Sequence, residues 1–220
     1  PARYNELIAR FDGDVAAAVA TLNPTVAHRD SVMREMARAS ELDIHYICDD
    51  DDLYPARLRS VRNHPPVITA RGNLETLRHS AVSMVGTRHA TAAGMEFIAD
   101  MATQFAAHGI AVVSGMAIGT DTAAHRGALR AVGNAQTIAV LAGGADYIWP
   151  TENESLYQEI LARGVIISEM PVGFVPVATN FVQRNRWVAG IGEKLILGEA
   201  DMNSGSMRTA RFANDIGRKI

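Results

Sequence analysis

An α/β domain built on a doubly wound, mostly parallel sheet is the architecture this sequence predicts. Three observations carry it. Short, almost wholly apolar segments recur at 81–85, 110–114, 137–141, 165–168 and 194–198. Amphipathic stretches fill the intervals between them, and glycine stands at the carboxyl end of most of the apolar segments. Strands that are apolar throughout are those covered on both faces, and regular alternation with helices places them in a parallel sheet.

The helices follow from periodicity and stops. The clearest runs from Ala93 to His108, with Met95, Ile98, Ala102 and Phe105 on one face and Gly109 as its terminator. Thr120 to Ala131 is a second, stopped near Gly133, and Glu152 to Arg163 a third, stopped by Gly164. Phe181 to Ala189 and Ser206 to Asp215 complete the set. Val67-Ile68-Thr69-Ala70 reads as an extra edge strand, and Arg71-Gly72-Asn73 as a turn.

Ahead of the sheet, residues 1–52 read as a small all-helical module, with 53–220 as the Rossmann-like domain. Leu7, Ile8, Phe11, Val15, Val19 and Leu22 fall at helical spacing, Asn23-Pro24 interrupts it, and Val32, Met33, Met36 and Ala39 resume it. The acidic run Asp49 to Asp52 reads as a solvated linker, since it lacks the glycine and distal glutamate of a calcium loop. The chain opens at Pro1 rather than methionine, and ends at Gly217-Arg218-Lys219-Ile220 as though starting a sixth strand. Pieces beyond both ends are therefore expected.

Composition narrows the function classes. The 220 residues are 48% hydrophobic, enough for a substantial core, and no apolar run approaches the roughly 20 residues that span a bilayer. The single cysteine, Cys48, excludes an intrachain disulfide and a cysteine-rich zinc site. No secretory signal is visible, so the cytoplasm is the simplest compartment. A formal net charge of −3 argues against a uniformly basic surface but leaves room for a local basic groove.

Chemistry concentrates in the turns. Val85-Gly86-Thr87-Arg88 and Ser114-Gly115-Met116-Ala117-Ile118-Gly119 each join a strand to a helix, the form in which backbone N–H groups meet an anion. Neither is a Walker loop or a complete dinucleotide fingerprint. Asp121 and His125, four apart, share a helix face, and a structural hydrogen bond is the simpler reading of that pair. Phe181-Val182-Gln183-Arg184-Asn185-Arg186 offers an aromatic ring beside a basic ledge, on which a base could stack while arginines hold phosphates. Ser204-Gly205-Ser206 opens the last helix as cap, phosphate ligand or both. No nucleophile–base–orienter set or nucleophile elbow is present.

Six segments in order, VGTRHAT, SGMAIGTDTAAHRGAL, AVLAGGADYIWPTEN, ISEMP, FVQRNRWVAG and EADMNSGSMRTA, resemble the DNA-processing protein A family (DprA or Smf) over residues 53 to 220. The helical amino-terminal part resembles that family's sterile-alpha-motif-like module. The resemblance implies an extended Rossmann domain without known catalysis or cofactor. It implies a protein that binds single-stranded DNA during natural transformation, protects incoming strands, helps load the RecA recombinase and forms a homodimer. A further winged-helix-like domain is common in the family. Carried over by position, Gly86, Thr87 and Arg88 match its G-S-R loop with threonine for serine. Phe181, Arg184, Asn185 and Arg186 match F-x-x-R-N-R, and Ser204, Gly205 and Ser206 match S-G-S. Together with Gly115 these are the expected nucleic-acid-binding residues; no metal site is expected.

Two positions depart from the pattern. Ile118 stands where a basic residue is usual, which removes a phosphate contact. Gly198 replaces a bulky apolar residue, which is expected to loosen the fifth strand. The alternative is a LOG-type nucleoside-monophosphate phosphoribohydrolase, which shares such a sheet. It needs a P-G-G-x-G-T loop where this chain has Ala142-Gly143-Gly144-Ala145-Asp146-Tyr147. A dinucleotide-dependent oxidoreductase suffers from the missing fingerprint.

Overall fold

The structure, a computed structural model, describes residues 25–132 and 136–220 together with residues 10, 17, 21 and 22. In chain order the elements are α1 (Val26–Glu41), β1 (Ile44–Cys48), α2 (Ala56–Arg59), β2 (Val67–Gly72), β3 (Ala81–Val85), α3 (Ala92–Ala107), β4 (Ala111–Ser114) and α4 (Thr120–Arg130). There follow β5 (Thr137–Leu141), α5 (Glu154–Arg163), β6 (Val165–Ser168), α6 (Ala178–Ile191), β7 (Leu195–Leu197) and α7 (Gly205–Asp215). Single 3-10 turns precede β3 and α5.

The strands form one sheet in the order β1-β2-β6-β5-β4-β3-β7. β3 to β7 pair in parallel, while β2 lies antiparallel to both β6 and β1. Every residue of β3, β4, β5 and β6 is buried. Alternation explains it. Val85, Val113, Val140 and Ile167 point to one face, where Trp187, Val188 and Ile191 of α6 and Ala210 and Ala213 of α7 cover them. Met84 and Val112 point to the other face, against Ile98 and Ala102 of α3 and Ala124 and Ala128 of α4. Leu141 and Ile166 join them there under Leu156, Tyr157 and Ile160 of α5.

The chain steps from β3 through β4 and β5 to β6 in one direction, with α3, α4 and α5 on a single face. It then crosses the opposite face in α6 and returns to β7 beside β3. Strand order thus reverses between β3 and β7, and sheets of this kind bind ligands at the carboxyl edge of such a reversal.

Four expectations change. Residues 44–48, read as helical, form β1 on the edge of the sheet. β2, read as an edge strand, is flanked on both sides. β7 stops at Leu197, just before Gly198, whose N–H still donates to the Val85 carbonyl at 2.9 Å. The carboxyl-terminal basic run pairs with the sheet through one bridge only, Lys194 to Lys219. Leu7, Ile8, Phe11, Val15, Val19 and Gly133 lie outside the described residues. The helix expected around Met33 and Met36 is present as α1, of which Ala39 is the buried residue. The Arg38 guanidinium holds it to Asp146 at 3.1 Å, and Glu35 accepts from the Tyr46 hydroxyl at 2.9 Å.

Candidate nucleic-acid interface

A cavity of about 280 Å³ opens at the β3/β7 reversal. It collects residues from the turn after β3 (Gly86, Thr87, Arg88), from α6 (Phe181, Arg184, Asn185) and from the β7–α7 loop (Ser204, Gly205, Ser206). Nine of the eleven residues named from sequence therefore meet at one place. Gly115 lies directly beneath them, because a Cβ there would come within 2.6 Å of the Arg184 guanidinium carbon. Arg186 does not join them. It faces a neighbouring depression, over the rings of Trp187 and Phe212, each at 5.1 Å.

Arg184 is the floor rather than a ledge. It is only 5% exposed. Its Nη1 donates to the carbonyls of Gly115 and Val140, and its Nε donates to Asn185 Oδ1 at 3.1 Å. Burial pulls its pKa down to about 10, the nearby Asp121 opposes that pull, and Arg88 adds to it. Neither Glu169 nor Glu199 pairs with it: Glu199 is bonded to Thr91 instead. Its register made this legible: Arg184, Trp187, Val188 and Ile191 fall at i, i+3, i+4 and i+7, all buried on one face of α6.

The two strand-to-helix turns face anions, but the anions belong to the chain. In the second turn one oxygen of Asp121 accepts from the amides of Gly115 and Ala117 at 3.2 and 3.3 Å. Burial pushes the Asp121 carboxyl up, and Arg184 and those amides oppose the shift. At the amino end of α3, Glu199 accepts from the Thr91 amide at 2.7 Å and from the Thr91 hydroxyl at 2.5 Å. Those two bonds hold its carboxyl below the usual range. An acid placed at a helix start satisfies amides that a phosphate would otherwise engage. Asp121 and His125 are not bonded to each other. The Thr137 hydroxyl donates to Val112, so His125 Nδ1 must donate to Thr137, at 2.7 Å. That leaves His125 Nε2 buried without a partner among the described residues.

The amino end of α7 differs. Ser204 Oγ accepts from the Met207 amide at 3.3 Å and lies 2.8 Å from Ser206 Oγ. No acceptor among the described residues takes the amides of Gly205 and Ser206, so this helix start faces the cavity with donors to offer. Opposite it, Arg88 is exposed and stands 5.4 Å over the ring of Trp149, which packs on Phe181 at a centroid distance of 4.5 Å. Trp149 is not among the binding residues expected from the sequence. Its signal was position: it follows the glycine turn of β5, on the same sheet edge as the other loops. Ile118 is exposed on the β4–α4 turn and adds no charge.

The family model of DNA recombination-mediator protein A matches residues 45–220. The chain belongs to that family. Among curated members, the Smf protein of Synechocystis is 37% identical over 179 residues, covering 80% of this chain and 44% of that protein. The putative DNA processing protein DprA of Mycobacterium tuberculosis is 37% identical over 215 residues, 89% of this chain and 55% of that protein. The chain thus spans about half the length of these relatives. Among solved structures, DNA processing protein A from Streptococcus pneumoniae superposes with a TM-score of 0.75 at 34% identity, covering 83% of this chain and 64% of the other. The Helicobacter pylori protein, solved for its single-stranded DNA binding mode, superposes at 0.73 and 29% identity over 81% of this chain and 80% of its own. Both share the fold found here.

Proposed function

We propose that this chain binds single-stranded DNA at the β3/β7 reversal and serves DNA processing during natural transformation. The observation that carries the reading is the facing pair of surfaces around one cavity. On one side are the open α7 amino end and the Ser204 and Ser206 hydroxyls. On the other are Arg88 and the Trp149–Phe181 ring pair. Phosphates meet guanidinium and helix amides, while an unstacked base has an aromatic surface to lie on. The relatives support the reading, since the Helicobacter pylori structure is of a single-strand-binding protein.

Within this reading the chain acts without catalysis, as a homodimer, in the cytoplasm, delivering strands to RecA. No helix among the described residues is long and apolar enough to cross a membrane. The test is a titration of labelled single-stranded and duplex oligonucleotides at several salt concentrations. The single strand binds more tightly, with an affinity that falls linearly in log salt. Equal affinity for duplex, or no salt dependence, would refute the reading.

A further inference from the structure

Two more depressions continue from the cavity along the seam between α6 and α7. The first, about 300 Å³, shares Asn185, Gly205 and Thr209 with the cavity. The second, about 290 Å³, shares Arg186 and Phe212 with the first and ends at Arg62. The three form one path over the surface. Arg208 and Arg211 of α7 border its middle, Arg186 stands in it, and Arg62 closes it. None of these four side chains makes an ion pair or hydrogen bond among the described residues; Arg186 lies on the rings of Trp187 and Phe212 instead. The acids facing the path are Asp215 at its edge and Glu169, which acts on Arg186 from the side of β6. Half-exposed Val182 and the Phe212 ring supply an apolar floor.

A chain of net charge −3 has here placed four guanidinium groups, none of them in an ion pair among the described residues, along an apolar trough. That combination matches a flexible polyanion carrying flat apolar bases: cations track the backbone while rings and aliphatic surface meet the bases. Resting on the single-strand reading of the cavity, we propose that the α6–α7 seam is a second binding track, which receives the strand as it leaves the cavity and extends the footprint toward Arg62. The shared wall at Asn185, Gly205 and Thr209 is what makes the two one site.

The test compares oligothymidylates of about 6 and about 20 nucleotides, one near the short end of known single-strand site sizes and one beyond their long end. Fluorescence anisotropy across salt concentrations is read for the unaltered protein, for Arg88→Ala, and for the double variant Arg208→Ala/Arg211→Ala. The double variant binds the short strand normally. It loses affinity for the long strand on the order of tenfold, with the log–log salt slope reduced by roughly 0.7 for each phosphate contact removed. Both side chains are exposed and unbonded, so the melting temperature is unchanged, and Arg208→Gln/Arg211→Gln gives the same loss. An unchanged long-strand affinity and slope, with Arg88→Ala still weakening both oligonucleotides, overturns the track and leaves the cavity standing. If Arg88→Ala also changes nothing, the cavity reading itself has failed and takes the track with it. Unchanged oligonucleotide binding with loss of a polyglutamate peptide assigns the seam to a polypeptide and likewise overturns the track.

Discussion

Arg88 and Arg184 line the same cavity and carry the same charge, yet they are held in opposite ways. Arg184 is enclosed, bonded to two main-chain carbonyls and set near a buried acid. Arg88 lies open to water on the face of a tryptophan. The first is part of the fold and the second is available to a ligand. Identical residue types in one site therefore divide into framework and contact, and burial decides which is which. A cation that has spent its donors on carbonyls shapes the cavity; one that rests on a ring keeps its donors for phosphate.

The largest effect separating the two is on stability. Arg184→Ala removes the charge beside buried Asp121 and frees two carbonyls, and is expected to cost about 3–5 kcal/mol in denaturant unfolding. Arg88→Ala removes an exposed side chain and is expected to stay within about 0.5 kcal/mol. Comparable losses for both would erase the distinction.

Acid titration gives the next effect. Burial, then the Arg184 charge, hold the His125 pKa down to about 3 from 6.5. The folded state therefore binds fewer protons at His125 than the unfolded chain between those values. The stability His125 contributes is complete above about pH 6.5 and is lost as pH falls toward 3. Asp121, whose carboxyl is pushed up, works in the opposite direction as pH falls. His125→Gln should flatten the pH dependence of unfolding across that window; an unchanged curve would mean that the imidazole is solvated.

Binding supplies the smaller effects. Phe181→Ala should weaken single-strand affinity by about 1–3 kcal/mol, and Trp149→Ala by a similar amount, because Trp149 supports both Phe181 and Arg88. A near-zero change at Phe181 would make the ring pair simple packing. Last, Arg88→Ala should lower the log–log salt slope by roughly 0.7 for every base sequence alike. A sequence-dependent loss would move Arg88 from the backbone to the bases.

Much of this was legible before any coordinates. The bounds expected for β3, β5 and β6 agree with those observed, because strands covered on both faces leave short, almost wholly apolar runs. β1 escaped for a physical reason. Ile44 and Ile47 are its buried residues, and a spacing of three imitates a helix face. In fact an odd separation places them on opposite faces of an edge strand, Ile44 beneath α1 and Ile47 toward α2. Its partner β2 is remote in sequence, so no local pattern announces the pairing. In the site, the glycine turns marked the correct sheet edge. Composition could not show that Asp121 and Glu199 already occupy their amides: Asp121 folds back onto its own turn, while Glu199 reaches Thr91 from the loop after β7, 108 residues along the chain.

The Asp121 contacts carry one more consequence. The β4–α4 amides are engaged from within and Arg184 is locked above Gly115, so the base of the cavity is built by the chain's own contacts. Under the single-strand proposal, the entropy of ordering that base then belongs to folding and not to the encounter, and adjustment is left to the incoming polymer.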